Sequence, residues 1–209
     1  MERFVTVIQT SILQDPWEIE PRLRELGLTK ESLLEARDTA VSESANATAF
    51  HAANAAGTYS YHGGTWALRD RFVGGDWVLD RADGVETIKN DKLKIKVAFS
   101  NVDLACNSFH VPKPRTKKGP GAERAITADL FGGELPQYAT RQSSEWRFYY
   151  LMVDQDGAAE LTRPVVKGGT FTAPIERIYL SRGAGDDGIK ISDNTTDVAV
   201  EFEPQIARK

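Results

Sequence analysis

The sequence predicts an α+β fold in which N-terminal helices pack with a mostly antiparallel β-sheet. Helix-start signals and helical spacing of apolar residues dominate the first quarter of the chain, and short alternating segments bounded by turn residues follow it. Hydrophobic residues occupy 41% and charged residues 27% of the 209 positions, a composition that excludes collagen-like and disordered chains.

Two regions are expected from the distribution of these signals. Residues 1–57 form a helical N-terminal region, and residues 58–209 form an α+β domain. A loop rich in proline, glycine and basic residues interrupts the second region at 110–121. Its density of proline and glycine excludes a helix or a central strand there.

Helices are predicted where apolar spacing coincides with a start or stop signal. Phe4, Ile8 and Ile12 recur at helical spacing. The Asp-Pro pair at 15–16 combines a capping residue with the residue favoured in a first helical turn. Five helices are expected. The first covers residues 1–13, the second begins at Asp15 and stops at Gly27, and the third begins at the cap Thr29. The fourth covers 65–74 and the fifth spans Ala125–Leu130.

Strands are predicted where apolar and polar residues alternate between turn signals. The segments 76–80, 84–89 and 92–99 are separated by turn residues, so we expect a three-stranded meander. In the third segment, lysines alternate with apolar residues, which places the lysines on one face of the strand. Further strands are expected at 145–154, 158–166, 170–180 and 197–203. The first of these is apolar on both faces and is therefore expected to be central. In the strand 170–180, Pro174 indicates an edge or a bulge.

Several chemistries lack the residues that they need. Cys106 is the only cysteine, so no internal disulfide or thiolate zinc cluster is expected. The chain shows no glycine-rich phosphate-binding motif and no nucleophile-elbow motif, so no cofactor is expected. It also shows no secretory leader and no apolar run of the roughly 20 residues that a bilayer requires, which predicts a cytoplasmic protein without a membrane partner.

Three segments carry a resemblance to known sequences. The run "NAAGTYSYHGGTWALRDRFVGGDWVLDRADGVETI" is followed by "IKVAFSNVD" and then by "PKPRTKKGPGAERA". Together they resemble a recurring family of uncharacterised bacterial proteins over about residues 20–180. The resemblance implies an accessory protein of bacterial chromosomes, prophages or mobile elements, and it supplies no catalytic residue.

A group of cations is the candidate functional site. Residues 58–124 hold 12 basic and 8 acidic residues, a net charge of +4 within a chain whose total is −4. The basic strand and loop would neutralise phosphates, with Trp77 or Tyr61 stacking on single-stranded bases. Exposed lysines also maintain solubility, which is the alternative role for the same residues. The candidate nucleic-acid-binding residues are Lys92, Lys94, Lys96, Lys113, Arg115, Lys117 and Lys118.

A metal-dependent hydrolase or nuclease is the alternative function. The helix–strand–strand–strand–helix–strand order expected over 65–154 resembles the core of restriction-type nucleases, whose third strand carries an acid two residues before a lysine. Lys94 occupies that acid's place here, so a metal would need carboxylates from elsewhere. A zinc site at Asp103, Cys106 and His110 lacks the paired motifs of such sites. The scattered acids available to a metal are Asp76, Glu86, Asp91 and Asp103.

The expected function is that of a non-enzymatic binding or adaptor protein from a bacterial or phage-related accessory locus. Nucleic acid is one expected partner, contacted through the basic strand and loop. A protein partner or a second copy of the chain is the other, docked through the acidic N-terminal helices. No metal or cofactor is expected.

Overall fold

The computed structural model describes residues 9–124 and 146–183, and their helices and strands confirm the predicted α+β fold. In chain order the elements are β1 (Ser11–Leu13), α1 (Pro16–Glu25), α2 (Lys30–Ala45), α3 (Ala55–Phe72), β2 (Trp77–Asp80), β3 (Thr87–Asn90), β4 (Ile95–Asn101), β5 (Arg147–Val153), β6 (Ala158–Lys167) and β7 (Thr170–Arg182). The strands join in one sheet in the order β1-β7-β6-β5-β4-β3-β2. The β1–β7 and β4–β5 pairs are parallel and the other pairs are antiparallel, as a mostly antiparallel sheet requires.

Helices α1, α2 and α3 cover one face of the sheet. Their inward side chains include Leu23, Leu33 and Leu68, which form one core with Phe99 of β4 and Leu151 of β5. Each of these five side chains is at most 2% exposed. β5 lies in the middle of the sheet with both of its faces buried, so the prediction of a central strand is confirmed.

The chain that follows β4 covers the opposite face. Cys106 packs there in a second core with Phe171 of β7. An ion pair of 2.7 Å joins Arg177 to Glu160, with side-chain exposures of 1% and 0%. Arg177 also donates to the carbonyl of Asn107 at 2.7 Å, so the buried pair holds the covering segment against the sheet.

Local signals place both ends of α1 and the start of α2 where they were predicted, although the Asp15 side chain forms no capping hydrogen bond. Pro16 opens α1, and Gly27 follows its end with a φ of 68°. The Thr29 hydroxyl accepts a hydrogen bond from the Ser32 amide at 3.3 Å and caps α2. In β7, Pro174 lies opposite a register shift in β6, which confirms the predicted bulge.

The predicted helix over residues 1–13 is wrong at its C-terminal end. Ser11–Leu13 is strand β1 and pairs in parallel with β7 through the register Ile12 to Arg177. A backbone hydrogen-bond ladder with a strand more than 150 residues away overrides the local helical spacing. The remainder of that predicted helix lies mostly outside the described residues.

The predicted lysine-bearing strand starts later than expected. β4 begins at Ile95, so Lys92 and Lys94 lie in the turn between β3 and β4, and only Lys96 projects from the strand. The cause is Asn90, whose Oδ1 accepts the Lys92 amide at 3.1 Å and closes the turn. Lys94 then adopts a φ of 56°, which breaks the strand alternation.

The remaining predicted elements differ in their positions. The boundary predicted between residues 57 and 58 falls in the first turn of α3, a helix that starts ten residues before the predicted 65–74. The predicted helix Ala125–Leu130 and the predicted strand 197–203 lie outside the described residues. Within 9–124 and 146–183, no helix combines the length and hydropathy needed to cross a membrane.

Candidate functional site

A cavity of about 870 Å³ opens where the parallel strands β4 and β5 end. The start of α3 forms one wall, residues 84–86 before β3 form a second, and the basic loop forms a third. Ligands of α/β proteins commonly bind at the carboxyl ends of parallel strands, because loops and helix starts converge there. The volume falls within the range of roughly 300–1,000 Å³ that is typical of small-ligand sites.

Backbone hydrogen bonds hold the basic loop at the mouth of this cavity. The Arg115 amide donates to the carbonyl of Asn101 at the end of β4, with a distance of 3.1 Å. The Lys118 amide donates to the carbonyl of Gly169, in the β6–β7 turn, at 2.8 Å. The loop is therefore anchored to the end of β4 and to the β6–β7 turn, which fixes the backbone of Arg115 and Lys118.

Lys118 is the most unusual cation of the loop. Its ammonium donates to the Ser100 hydroxyl at 2.8 Å and lies 4.9 Å from the centre of the Tyr150 ring and 5.5 Å from that of Phe171. Burial lowers the pKa of Lys118 to about 8, since removal of water disfavours the charged form. Among the described residues, no carboxylate forms an ion pair with it.

Tyr150 contributes a second unmatched donor to the same cavity. The residue is 1% exposed and lines the cavity wall, and its hydroxyl has no hydrogen-bond partner among the described residues. Burial raises the pKa of Tyr150, so the phenol keeps its proton and remains a donor. A buried hydroxyl without a partner is unfavourable by about 1–3 kcal/mol, which a ligand acceptor would remove.

The start of α3 adds a positive end to the cavity. Ala56 and Gly57 lie in the first turn, where backbone amides have no acceptor within the helix. The side chain of Asn54 does not cap them, and the turn contains no acidic residue. Asn101 fixes this turn to β4, because its amide donates to the Gly57 carbonyl at 2.8 Å and its oxygen accepts from Ser60 at 2.8 Å.

The carboxylates that border the cavity are already engaged with other groups. Glu86 accepts from Arg69 and Arg81, and these hydrogen bonds, Arg69 first, lower the pKa of Glu86. Asp154 accepts backbone amides, including that of Ala105 at 3.0 Å and that of Ala158 at 3.0 Å. The unmatched groups of the cavity are therefore donors and a cation, which suits an anionic ligand.

The structure separates the predicted cations into two groups at opposite ends of β4. Arg115, Lys117 and Lys118 border the cavity at the carboxyl end. Lys113 turns away from it, because its ammonium donates to the Phe171 carbonyl at 2.8 Å. The other three lie near the amino end of the strand, whose seven residues span about 20 Å at 3.3 Å per residue. They are Lys92, Lys94 and Lys96.

The amino-end group has its own partners. Lys92 pairs with Asp76 at 2.5 Å, and Lys96 pairs with Asp80 at 2.7 Å. Trp146, which sequence analysis did not single out, receives three ammonium groups at 5.1–5.6 Å from its ring. These groups belong to Lys89, Lys94 and Lys96. Lys92 and Lys96 are paired with acids and Lys94 lies over an aromatic ring, so these cations are less available to a ligand.

Of the two aromatic residues suggested for base stacking, Trp77 is unsuitable. It is 6% exposed, and its indole N–H donates to the Gly27 carbonyl at 3.0 Å. Tyr61 borders the cavity and is half-buried. Tyr150 could not be singled out from the sequence, because a tyrosine within an apolar strand carries no signal that its hydroxyl lacks a partner.

The acids proposed for a metal do not come together in the described residues. No group of three or more His, Cys, Asp or Glu side chains among residues 9–124 and 146–183 has the geometry of a metal site. Asp103 instead accepts backbone amides and contacts His110 at 2.9 Å. Cys106 is buried, and burial raises the pKa of its thiol to about 12, so it is neither a ready ligand nor a nucleophile.

Comparison of the chain with known protein families, with curated proteins and with solved structures gives no match in any of the three.

Proposed function

We propose that the protein is a non-enzymatic nucleic-acid-binding protein whose basic loop contacts phosphates at the cavity. The observation that carries this proposal is the Lys118 ammonium, which lies in a cavity wall without a described carboxylate partner. Arg115 and Lys117 border the same cavity with exposed side chains. An accessory protein of a bacterial or prophage locus, as the sequence resemblance implies, is compatible with this role.

The dimensions of the cavity favour a single strand over a duplex. Its volume of about 870 Å³ accommodates one nucleotide or two, and its walls are a helix start, a sheet edge and a loop. Tyr61, in the same wall, offers a ring for stacking with a base.

Binding is expected to depend on salt in proportion to the small number of cations involved. For a single strand, the logarithm of the association constant falls with the logarithm of salt concentration with a slope of about −0.7 per phosphate contact. Contacts from Arg115, Lys117 and Lys118 therefore predict a slope of about −2.

Fluorescence anisotropy with labelled single-stranded and duplex DNA and RNA across a salt series tests the proposal. The double variant Arg115→Gln/Lys117→Gln removes two exposed charges, so its slope should fall to about −0.7 and its affinity should drop. The matched control Lys92→Gln/Lys94→Gln removes the same charge at the far end of β4 and should bind like wild type.

Two results would contradict the proposal. Absence of binding by the wild-type chain at low salt removes nucleic acid as the ligand. Equal loss of affinity in both double variants means that binding follows total charge rather than the cavity.

A metal-dependent nuclease remains the second candidate because of its strand order. α3 precedes the β2–β3–β4 meander, and β5 pairs in parallel with β4, as the strands of a restriction-type core would, while the second helix of the expected order lies outside the described residues. Calorimetric titration with Mg²⁺ or Mn²⁺ distinguishes it. Stoichiometric uptake of either ion supports a nuclease, and the lack of uptake contradicts it.

A further inference from the structure

We propose that the cavity binds a phosphate monoester, whose oxygens accept hydrogen bonds from the Lys118 ammonium and the Tyr150 hydroxyl. This proposal rests on the proposed function and deepens it, because in a nucleic acid the phosphate monoester is the terminal phosphate of a strand. Lys118 and Tyr150 belong to different segments, the basic loop and β5, so the site depends on the fold and not on a local motif.

The side chains of Lys118 and Tyr150 are complementary to one anion. The Lys118 ammonium lies 4.9 Å from the centre of the Tyr150 ring, and both residues line the cavity. One group is a desolvated cation and the other is an unpartnered hydroxyl with 1% exposure. A phosphate monoester offers nearly two negative charges and three strong acceptor oxygens, which satisfy both groups at once.

The rings of Tyr150 and Phe171, both at most 1% exposed, pack against the Lys118 ammonium. An internal phosphodiester carries a nucleotide on both sides and needs room for both, whereas a terminal phosphate is continued by the strand on one side only. The exposed Arg115 and Lys117 at the mouth are then in position to contact the phosphates that follow.

The N-terminus of α3 adds a positive electrostatic potential to the cavity. The uncapped amides of Ala56 and Gly57 line the same cavity on the other side of the end of β4. The N-terminus of this 18-residue helix carries about half a positive charge, which favours an anion in the cavity. The acids nearest to it, Glu86 and Asp154, are occupied by arginines and backbone amides.

The test compares one oligonucleotide with a terminal phosphate at the 5′ end, at the 3′ end or at neither, with the fluorophore on an internal base. At least one phosphorylated form should bind about tenfold or more tightly than the hydroxyl form, as expected for hydrogen bonds to a charged group. Inorganic phosphate and a nucleoside monophosphate should compete, and dimethyl phosphate should not. Competition by the monophosphate without any preference between strand ends would identify a free nucleotide as the source of the monoester.

Two substitutions distinguish binding at this site from binding that depends only on the overall charge of the protein. Tyr150→Phe removes only the hydroxyl and should abolish the preference for the phosphorylated end. Tyr179→Phe is the matched control, because the Tyr179 hydroxyl is also buried and unpartnered but lies outside the cavity. Thermal unfolding of each variant verifies folding, and the wild-type comparison of strand ends needs no variant.

The outcomes keep this inference distinct from the proposed function. Strands that bind through the loop but show neither an end preference nor competition by phosphate overturn the monoester site and leave nucleic-acid binding intact. Competition by phosphate that depends on Tyr150, without binding of any strand, supports the monoester site and removes nucleic acid. Absence of both overturns both.

Discussion

A buried arginine and a half-buried lysine on the same face of the sheet have opposite environments. Arg177 donates to both carboxylate oxygens of Glu160 and to the carbonyls of Asn107 and His110, so its charge is matched within the protein. Lys118 has one hydroxyl acceptor and two aromatic rings. A buried charge with full partners holds a structure together, whereas one without them is typical of a ligand site.

We expect Lys118→Met to stabilise the protein at neutral pH. The pKa of Lys118 falls from 10.5 when unfolded to about 8 when folded, so the charged side chain disfavours the folded state below pH 8. At about 1.4 kcal/mol per pKa unit the penalty reaches about 3 kcal/mol. The lost hydrogen bond and ring contacts subtract about 1–2 kcal/mol from the gain. Urea denaturation at pH 7 should show a net gain of about 1–2 kcal/mol.

The pH dependence supplies the control for this variant. Between pH 8 and 10.5 the unfolded wild-type chain binds more protons at this lysine than the folded chain, so wild-type stability rises with pH there relative to the variant. The advantage of Lys118→Met should therefore be full below pH 8 and shrink towards pH 10.5. Tyr150 titrates in both proteins and cancels in the difference. A variant less stable than wild type at pH 7 would show that Lys118 is a structural residue.

For single residues, the sequence predicts correctly those roles that depend only on neighbours in the chain. Pro16, Gly27 and Thr29 act through backbone conformation and local hydrogen bonds, and the structure confirms all three. The burial of Lys118 depends on Phe171, more than 50 residues away in the chain. Its sequence context, a basic loop with proline and glycine, predicts exposure, so the essential property of the candidate site could not be deduced.

Among the elements, α3 is a helix whose glycines weaken the sequence signal that would predict it. Gly57, Gly63 and Gly64 lower helix propensity, so the sequence predicted only residues 65–74. Gly64 is needed for packing, because a Cβ atom there would overlap the ring of Phe99 in β4. The close approach of α3 to β4 brings the helix start to the end of that strand, where the cavity lies.

We expect Gly64→Ala to destabilise the protein by about 1–3 kcal/mol, through overpacking against Phe99. Gly57→Ala is the matched control in the same helix, since its Cβ atom would meet no atom within 4 Å. Removing a helical glycine there should stabilise the protein by about 0.5–1 kcal/mol. Chemical denaturation of both variants measures the contrast. Equal effects of the two substitutions would mean that α3 does not approach β4 as closely as described.

For the whole molecule, the sequence predicts the layers but not their arrangement. Alternation and apolar runs identify β5 as central and the N-terminal residues as helical, which defines an α+β fold. The β1–β7 pair joins Ile12 to Arg177 in parallel, and no local pattern encodes such a partner. The site depends on the same long-range order, since β4 and β5 must end together before α3 and the basic loop can enclose a cavity.

Ligand binding should raise the melting temperature of the whole protein. A ligand that binds only the folded state stabilises it by about 2.7 kcal/mol at 100 times its dissociation constant, which for this chain length raises the melting temperature by about 5–10 °C. We expect inorganic phosphate to produce such a rise in wild type, and potassium chloride at equal ionic strength not to. Lys118→Met should begin from a higher melting temperature and show a smaller rise with phosphate than wild type. The charge that holds the ligand is missing, and only the general stabilisation by an excluded kosmotropic anion is left. A rise of equal size in the variant would place the anion elsewhere on the molecule.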